Sequence, residues 1–159
     1  MKTFGKIVIG VVICVLVVLG VLRITGLDPH NRIPGLWLNG QLITAPVNDW
    51  SFTDNVPQVH LQTETWYLLP HSVTINCIAY NHNLYLASVY PGHGPRTWND
   101  DVMRDPRVRI QIGHQLYDRE LSLVTDPVEK AAVLQARARK YPLLKIPANA
   151  TIRVFRVFG

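Results

Sequence analysis

Cysteine, charge and catalytic signatures are all scarce in this sequence. Two cysteines, Cys14 and Cys77, occur in 159 residues, so there is no disulfide framework, and neither lies in a Cys-x-x-Cys pair that would point to zinc or thioredoxin-like chemistry. Charged residues make up 17% and hydrophobic ones 48%, a balance that excludes a disordered, collagen-like or low-complexity chain. No Gly-x-Ser-x-Gly elbow, His-Glu-x-x-His helix, Walker loop or Rossmann glycine pattern occurs, which removes the common motif-bearing hydrolases, zinc proteases and nucleotide-binding enzymes. The most lopsided absence is that of basic residues: between Gly35 and Pro95 there is no Lys or Arg, while Asp49, Asp54 and Glu64 are present.

What the sequence has in excess is one apolar block. Every residue from 7 to 22 is apolar or glycine, and counting 4–24, with Lys6 and Arg23 snorkelling at the ends, gives the roughly 20 residues that a membrane-spanning helix needs. A cleaved signal peptide would have a shorter apolar core and a small-x-small cleavage site, unlike Leu22-Arg23-Ile24. Residues 1–26 are therefore expected to be a membrane anchor, with Cys14 a small hydrophobe inside it. Lys2 and Lys6 before the span, against Arg23 and Arg32 after it, give a slight bias toward a cytoplasmic N-terminus and a domain on the non-cytoplasmic side.

Residues 27–34, rich in proline, read as a linker, and 35–159 as a single domain. Asn39-Gly40, flanked by Leu36-Trp37-Leu38 and Gln41-Leu42-Ile43, predicts a hairpin, and residues 48–55 a loop or bent strand. Alternation predicts strands over 59–67, 72–80 and 84–90. Thr97 can cap a short helix to Arg104, stopped by Pro106. Strands follow over 107–112 and 115–124. Asp126, Pro127 and Glu129 open a helix with an apolar stripe of Ala131, Leu134, Ala138 and Tyr141, and Arg137, Arg139 and Lys140 mark its solvated face. A last strand covers 151–158. About seven strands and two short helices without βαβ periodicity predict a mainly β (α+β) domain, a small antiparallel barrel.

The six histidines, at 30, 60, 71, 82, 93 and 114, are scattered one per turn or strand and form no metal set. A more specific arrangement runs from the strand carrying Ser88, through a glycine-rich loop, to Arg96-Thr97-Trp98, a short helix and Asp105-Pro106-Arg107-Val108. Over about residues 65–141 it resembles the split-barrel flavin-binding superfamily, typified by pyridoxamine 5′-phosphate oxidase and the deazaflavin-dependent nitroreductases. The resemblance implies a six- to seven-stranded split β-barrel that forms a homodimer and holds FMN or a deazaflavin, acting as an oxidoreductase on a small molecule.

The residue chemistry is compatible with that implication. Arg96 offers a fork of donors for a phosphate, a helix opening at Thr97 adds free N–H groups, and Ser88, His71, Ser72 and Thr74 would extend the polar surface, with Trp98 covering the ring. The structural alternative is equally concrete: Arg96 pairs with Asp100 or Asp101, Thr97 caps its helix and Trp98 is core. The lack of Lys and Arg over 35–95 departs from the family pattern, leaving two other readings: a non-catalytic anchored binding or assembly module, and a haem-binding barrel that uses His71 or His93. Residues 96–159 carry 12 Lys and Arg against 7 acids, a basic surface beside the anchor that suits anionic lipid. No nucleic-acid-binding motif is present.

Overall fold

The computed structural model describes residues 2–30, 33–67, 69–91 and 97–159, without the side chains of Lys2, Thr3, Pro91 and Thr97. It begins with α1 (Lys2–Thr25), whose apolar stretch Phe4–Thr25 is long and apolar enough to cross a membrane and is not buried against the rest of the chain. At about 1.5 Å per residue these 22 residues span roughly 33 Å, close to a bilayer core.

Beyond α1 the elements are β1 (Gln41–Leu42), a 3-10 turn over Ser51–Asn55, β2 (Val59–Thr63), β3 (His71–Ile75), β4 (Cys77–Tyr80), β5 (Asn83–Pro91), α2 (Thr97–Arg104), β6 (Arg107–Ile112), β7 (Gln115–Leu123), α3 (Pro127–Lys140) and β8 (Ala150–Phe158). Seven strands form a curled antiparallel sheet in the order β3-β2-β6-β7-β8-β5-β4. The two edge strands of that order are consecutive in sequence and separated by Asn76 alone, so the sheet curls until its edges meet at one bend of the chain. Residues 72–80, expected as one strand, are thus two, paired to opposite ends of the sheet. This is the small antiparallel split barrel that the strand pattern and the family resemblance led one to expect.

The inner faces enclose Leu61, Leu84, Leu86, Ile110 and Phe155, all at 0% exposure, with Trp98 and Val102 of α2 packed into the same core. A second cluster, including Ile78, Tyr85, Val133 and Val154, lies under α3. Asp126 accepts from the backbone N–H groups of Val128 (3.1 Å) and Glu129 (3.2 Å), and Pro127 occupies the first helical position, where a missing N–H costs nothing. The buried face of α3 is nevertheless rotated from the expected stripe. Val133, Ala136 and Arg137 are buried while Ala131 and Ala138 are exposed. Two of the three basic residues expected in solvent turn inward. Arg137 donates to the Leu144 carbonyl, and Lys140 Nζ donates to the carbonyls of Thr53 (2.7 Å) and Cys77 (3.0 Å), because its long apolar stem lets the ammonium bridge α3 to the barrel floor.

Turn chemistry explains another difference. The tight hairpin joins β4 to β5, where Asn81 (φ 47°) and His82 (φ 62°) are both left-handed. The expected hairpin at Asn39-Gly40 does not form, and residues 41–42 pair parallel to β7 instead. Gly40 has a different use: a Cβ there would strike the His114 carbonyl.

Residues 27–30 and 33–45 form a strap across the outer face of β3, β2, β6 and β7. Leu27 and Leu36 hydrogen-bond within it. Gly35 exchanges backbone hydrogen bonds with Ser72 (2.9 and 3.1 Å), the Leu38 N–H donates to Gln62 Oε1 (2.8 Å), and Gln111 Nε2 donates to the Asn39 carbonyl (2.7 Å).

Candidate functional site

Strand parity decides which polar side chains meet. In a strand, neighbours point to opposite faces. His71 shares the inward face of β3 with Val73 and Ile75, and Ser88 that of β5 with Leu84 and Leu86. Both lie at the barrel mouth plugged by α2. There Asn99 Nδ2 donates to Ser88 Oγ at 3.0 Å, both residues being buried. Thr63 Oγ1 donates to Asp101 Oδ2 at 3.2 Å, and Arg104 pairs with Asp101 at 3.0 Å. Among the described residues Asn99 Oδ1 and His71 Nδ1 are buried without a partner. Burial pushes the His71 pKa below the ordinary imidazole value, opposed by the negative charge of Asp101. Trp98 is 6% exposed, its ring tilted against Phe155 at 5.5 Å.

Ser72 and Thr74 take the other face. Ser72 stands beside Gln62, and Thr74 beside His60. Gly35 of the strap pairs with Ser72 along the edge of β3, and the Ser72 and Thr74 hydroxyls are buried without a partner among the described residues. The sheet therefore separates His71, Ser88 and Trp98 from Ser72 and Thr74. Thr97 opens α2, and Arg96 lies outside the described residues. The two acids that the sequence offered to Arg96 have partners of their own: Asp101 as above, and Asp100 with Arg153 at 3.6 Å.

A recess lies on the outer face of β2, β6 and β7, beside the end of α1. It has a volume of about 800 Å³, and Arg23, Trp37, Arg107, Arg109, Arg119 and Phe158 contribute to its walls. Arg107 and Arg109 stand two apart on one face of β6, and each is held by a two-pronged carboxylate. Arg107 bonds Asp105 at 2.9 and 2.6 Å, and Arg109 bonds Asp118 at 2.6 and 2.9 Å. The Arg107 guanidinium holds the Asp105 pKa down at about 2.

Arg119 is different. By parity it belongs with Tyr117 and Leu121, and it reaches the cleft past Gly159, beyond the end of β8. It is 8% exposed and lies over the rings of Trp50 (5.8 Å) and Tyr117 (5.6 Å). It donates to the carbonyls of Asp118 (2.7 Å) and Ala45 (3.2 Å). Its Nε has no partner and no carboxylate pairs with it among the described residues. Carbonyls and aromatic faces hold this buried guanidinium, while Glu64, Asp118 and Glu120 also line the cleft. Sequence reasoning missed these three arginines as site residues. The Arg-x-Arg spacing on a strand was the available signal for 107 and 109; Arg119 has none short of the tertiary fold.

No family model matches the chain, and no curated protein matches it. Solved structures do. A conserved hypothetical protein from Mycobacterium tuberculosis superposes with a TM-score of 0.55 at 14% identity, covering 68% of this chain and 76% of that one. A putative 5-nitroimidazole antibiotic resistance protein from Bacteroides thetaiotaomicron gives 0.52 at 16% identity, covering 80% and 88%. A putative pyridoxamine 5′-phosphate oxidase from Listeria innocua gives 0.50 at 17% identity, covering 67% and 86%. The fold of this chain is thus the split barrel that it shares with that putative oxidase, with a long apolar helix placed before it.

Proposed function

We propose that this protein is a membrane-anchored split-barrel oxidoreductase that holds FMN or a deazaflavin in the outer-face cleft and acts on a small molecule. The observation that carries the reading is Arg119, a buried cation without a carboxylate partner among the described residues, lining a cleft of about 800 Å³. That volume is within the roughly 300–1,000 Å³ typical of ligand sites. The likeness to a putative pyridoxamine 5′-phosphate oxidase supports the cofactor class.

The residues present suit such a group. Arg119, which lines the cleft, would attract the acidic tail through its guanidinium charge. Arg107 and Arg109, fixed by Asp105 and Asp118, would border the ring without moving, and Trp37 and Phe158 would exclude water from its faces. A bound flavin or deazaflavin would supply the hydride chemistry itself. The buried Ser88–Asn99 pair under α2 then serves to hold the barrel mouth in shape. A second copy of the chain, as the family resemblance implies, would complete the wall of the cleft.

One observation favours a second reading, a binding module without redox chemistry. Two of the cleft's arginines are already neutralised by carboxylates, so the cleft can hold a ligand of low charge with no reaction to perform. The spectrum of the purified full-length protein in detergent separates the two. A flavin-like or deazaflavin-like absorbance, native or acquired by saturable binding, supports the oxidoreductase. A folded, colourless protein that binds neither cofactor supports the module.

A further inference from the structure

The barrel exposes an aromatic pair in a particular place. Trp66 and Tyr67, in the turn between β2 and β3, are 77% and 50% exposed, and their rings meet edge to face at 5.4 Å. On α2 Met103 is 59% exposed, and Arg104, the residue after it, donates to the carbonyl of Glu64, two residues before Trp66. Large apolar side chains grouped on a protein surface mark a contact, and tryptophan and tyrosine suit the boundary between water and lipid.

The course of α1 says what that contact is. Its last carbonyls, those of Ile24 and Thr25, accept from Asn39 Nδ2 (3.3 and 3.2 Å), and the Asn39 carbonyl is tied to Gln111. Toward the N-terminus, Arg23 lies 5.8 Å from the Trp37 ring and shares the cleft with Glu64 and Arg107. Along β6, Gln111 to Arg107 is about 13 Å at 3.3 Å per residue. The foot of α1 and the start of the β2–β3 turn thus border one recess, Arg23 lining it from the helix and Glu64, two residues before Trp66, lining it from the end of β2. A bilayer that α1 crosses therefore lies near that turn.

We infer that Trp66, Tyr67 and Met103 rest in the headgroup layer of the membrane that α1 crosses, so that the barrel is docked on the lipid surface with its cleft opening at the level of the headgroups. The inference rests on the reading of α1 as a membrane span. Of the charges around the patch, Arg104 is paired with Asp101 and Arg107 with Asp105, and the exposed Glu64 lines the cleft together with Arg107.

The test uses the full-length protein in phosphatidylcholine vesicles carrying bromine on the acyl carbons nearest the headgroup, with tryptophan emission as the readout. Trp66→Phe is the control, a replacement at a surface site that leaves the fold unchanged. Labelling of Cys14, exposed on α1, by a water-soluble maleimide reports separately whether α1 is in the bilayer. Cys77 is buried and does not compete. The expected result is that Cys14 is protected until detergent is added, that wild type is quenched, and that Trp66→Phe loses roughly half or more of that quenching, Trp37 accounting for the rest. Protected Cys14 with the same quenching in wild type and variant overturns the docking while the anchor stands, including the case in which a second copy covers the patch. Cys14 labelled in intact vesicles overturns the anchor and the docking together.

Discussion

Replacing Gly35 by alanine tests how the strap is fastened. A Cβ at this position would collide with the Leu27 carbonyl oxygen, the Ser72 hydroxyl and the Pro29 nitrogen. Two of the three obstacles are backbone, so rotamer changes cannot make room and the strap must lift. Lifting breaks the two Gly35–Ser72 backbone hydrogen bonds, worth about 2 kcal/mol together at the usual net value. If the disturbance reaches Leu38, which is 4% exposed, loss of its burial adds about 2 kcal/mol. The expected loss is therefore about 2–4 kcal/mol, or a fall in thermal midpoint of roughly 6–16 °C for a domain of this size. Thermal unfolding of the full-length protein in detergent, with hydrogen exchange read at the Ser72 amide, gives both numbers. A midpoint within about 2 °C of wild type, with the Ser72 amide still protected, would refute the account of the strap.

Other outcomes follow from individual contacts. Lys140→Met removes the ammonium from the carbonyls of Thr53 and Cys77 and lowers stability by about 2–3 kcal/mol, read as a shift in denaturant midpoint without a change of slope. Asp126→Ala strips the N-cap of α3 and costs about 1 kcal/mol in the same assay. Burial and the hydrogen bond to Glu129 raise the Tyr85 pKa from 10.0 to about 12. The folded state then keeps a proton that the unfolded state gives up. The contribution of Tyr85 is complete below about pH 10 and is lost as pH rises through 12, and wild type minus Tyr85→Phe isolates that loss in a pH series of unfolding curves.

The parts of the fold that depend on local rules were legible in the sequence. The apolar run of α1, the alternating strands, the Asp126-Pro127 helix start and the Asp105-Pro106 stop all follow from residues within a few positions of one another. What was not legible depends on partners far along the chain. Asn76 looks like any other polar residue within an alternating strand, and the break there is imposed by pairing β3 with β2 and β4 with β5. Gly40 suits a hairpin by local chemistry, but the nearness of His114 gives it another role. Lys140 has the composition of a solvated face, and the carbonyls of Thr53 and Cys77 draw it inward.

The site shows the same division. Parity alone separates His71 from Ser72, and with it the polar residues of β3 divide between the α2 mouth and the strapped outer face. The basic residues missing from 35–95 are supplied by β6, which the sheet order places beside β2, and by β7 on the far side of β6. That Arg119 lacks a carboxylate partner among the described residues is a property of the assembled barrel, invisible in a strand that reads Tyr-Asp-Arg-Glu.

The central claim is that the outer-face cleft holds a flavin or deazaflavin through Arg119. Its most direct test is an absorbance titration of the full-length protein with FMN and with a deazaflavin, in wild type, Arg119→Gln and Arg119→Lys, with the thermal midpoint of each variant recorded alongside. The account predicts saturable binding by wild type, and binding about tenfold weaker or worse in Arg119→Gln, the worth of one charge-assisted hydrogen bond, with Arg119→Lys between the two. Wild type that binds neither compound, or a folded Arg119→Gln that binds as tightly as wild type, would contradict it.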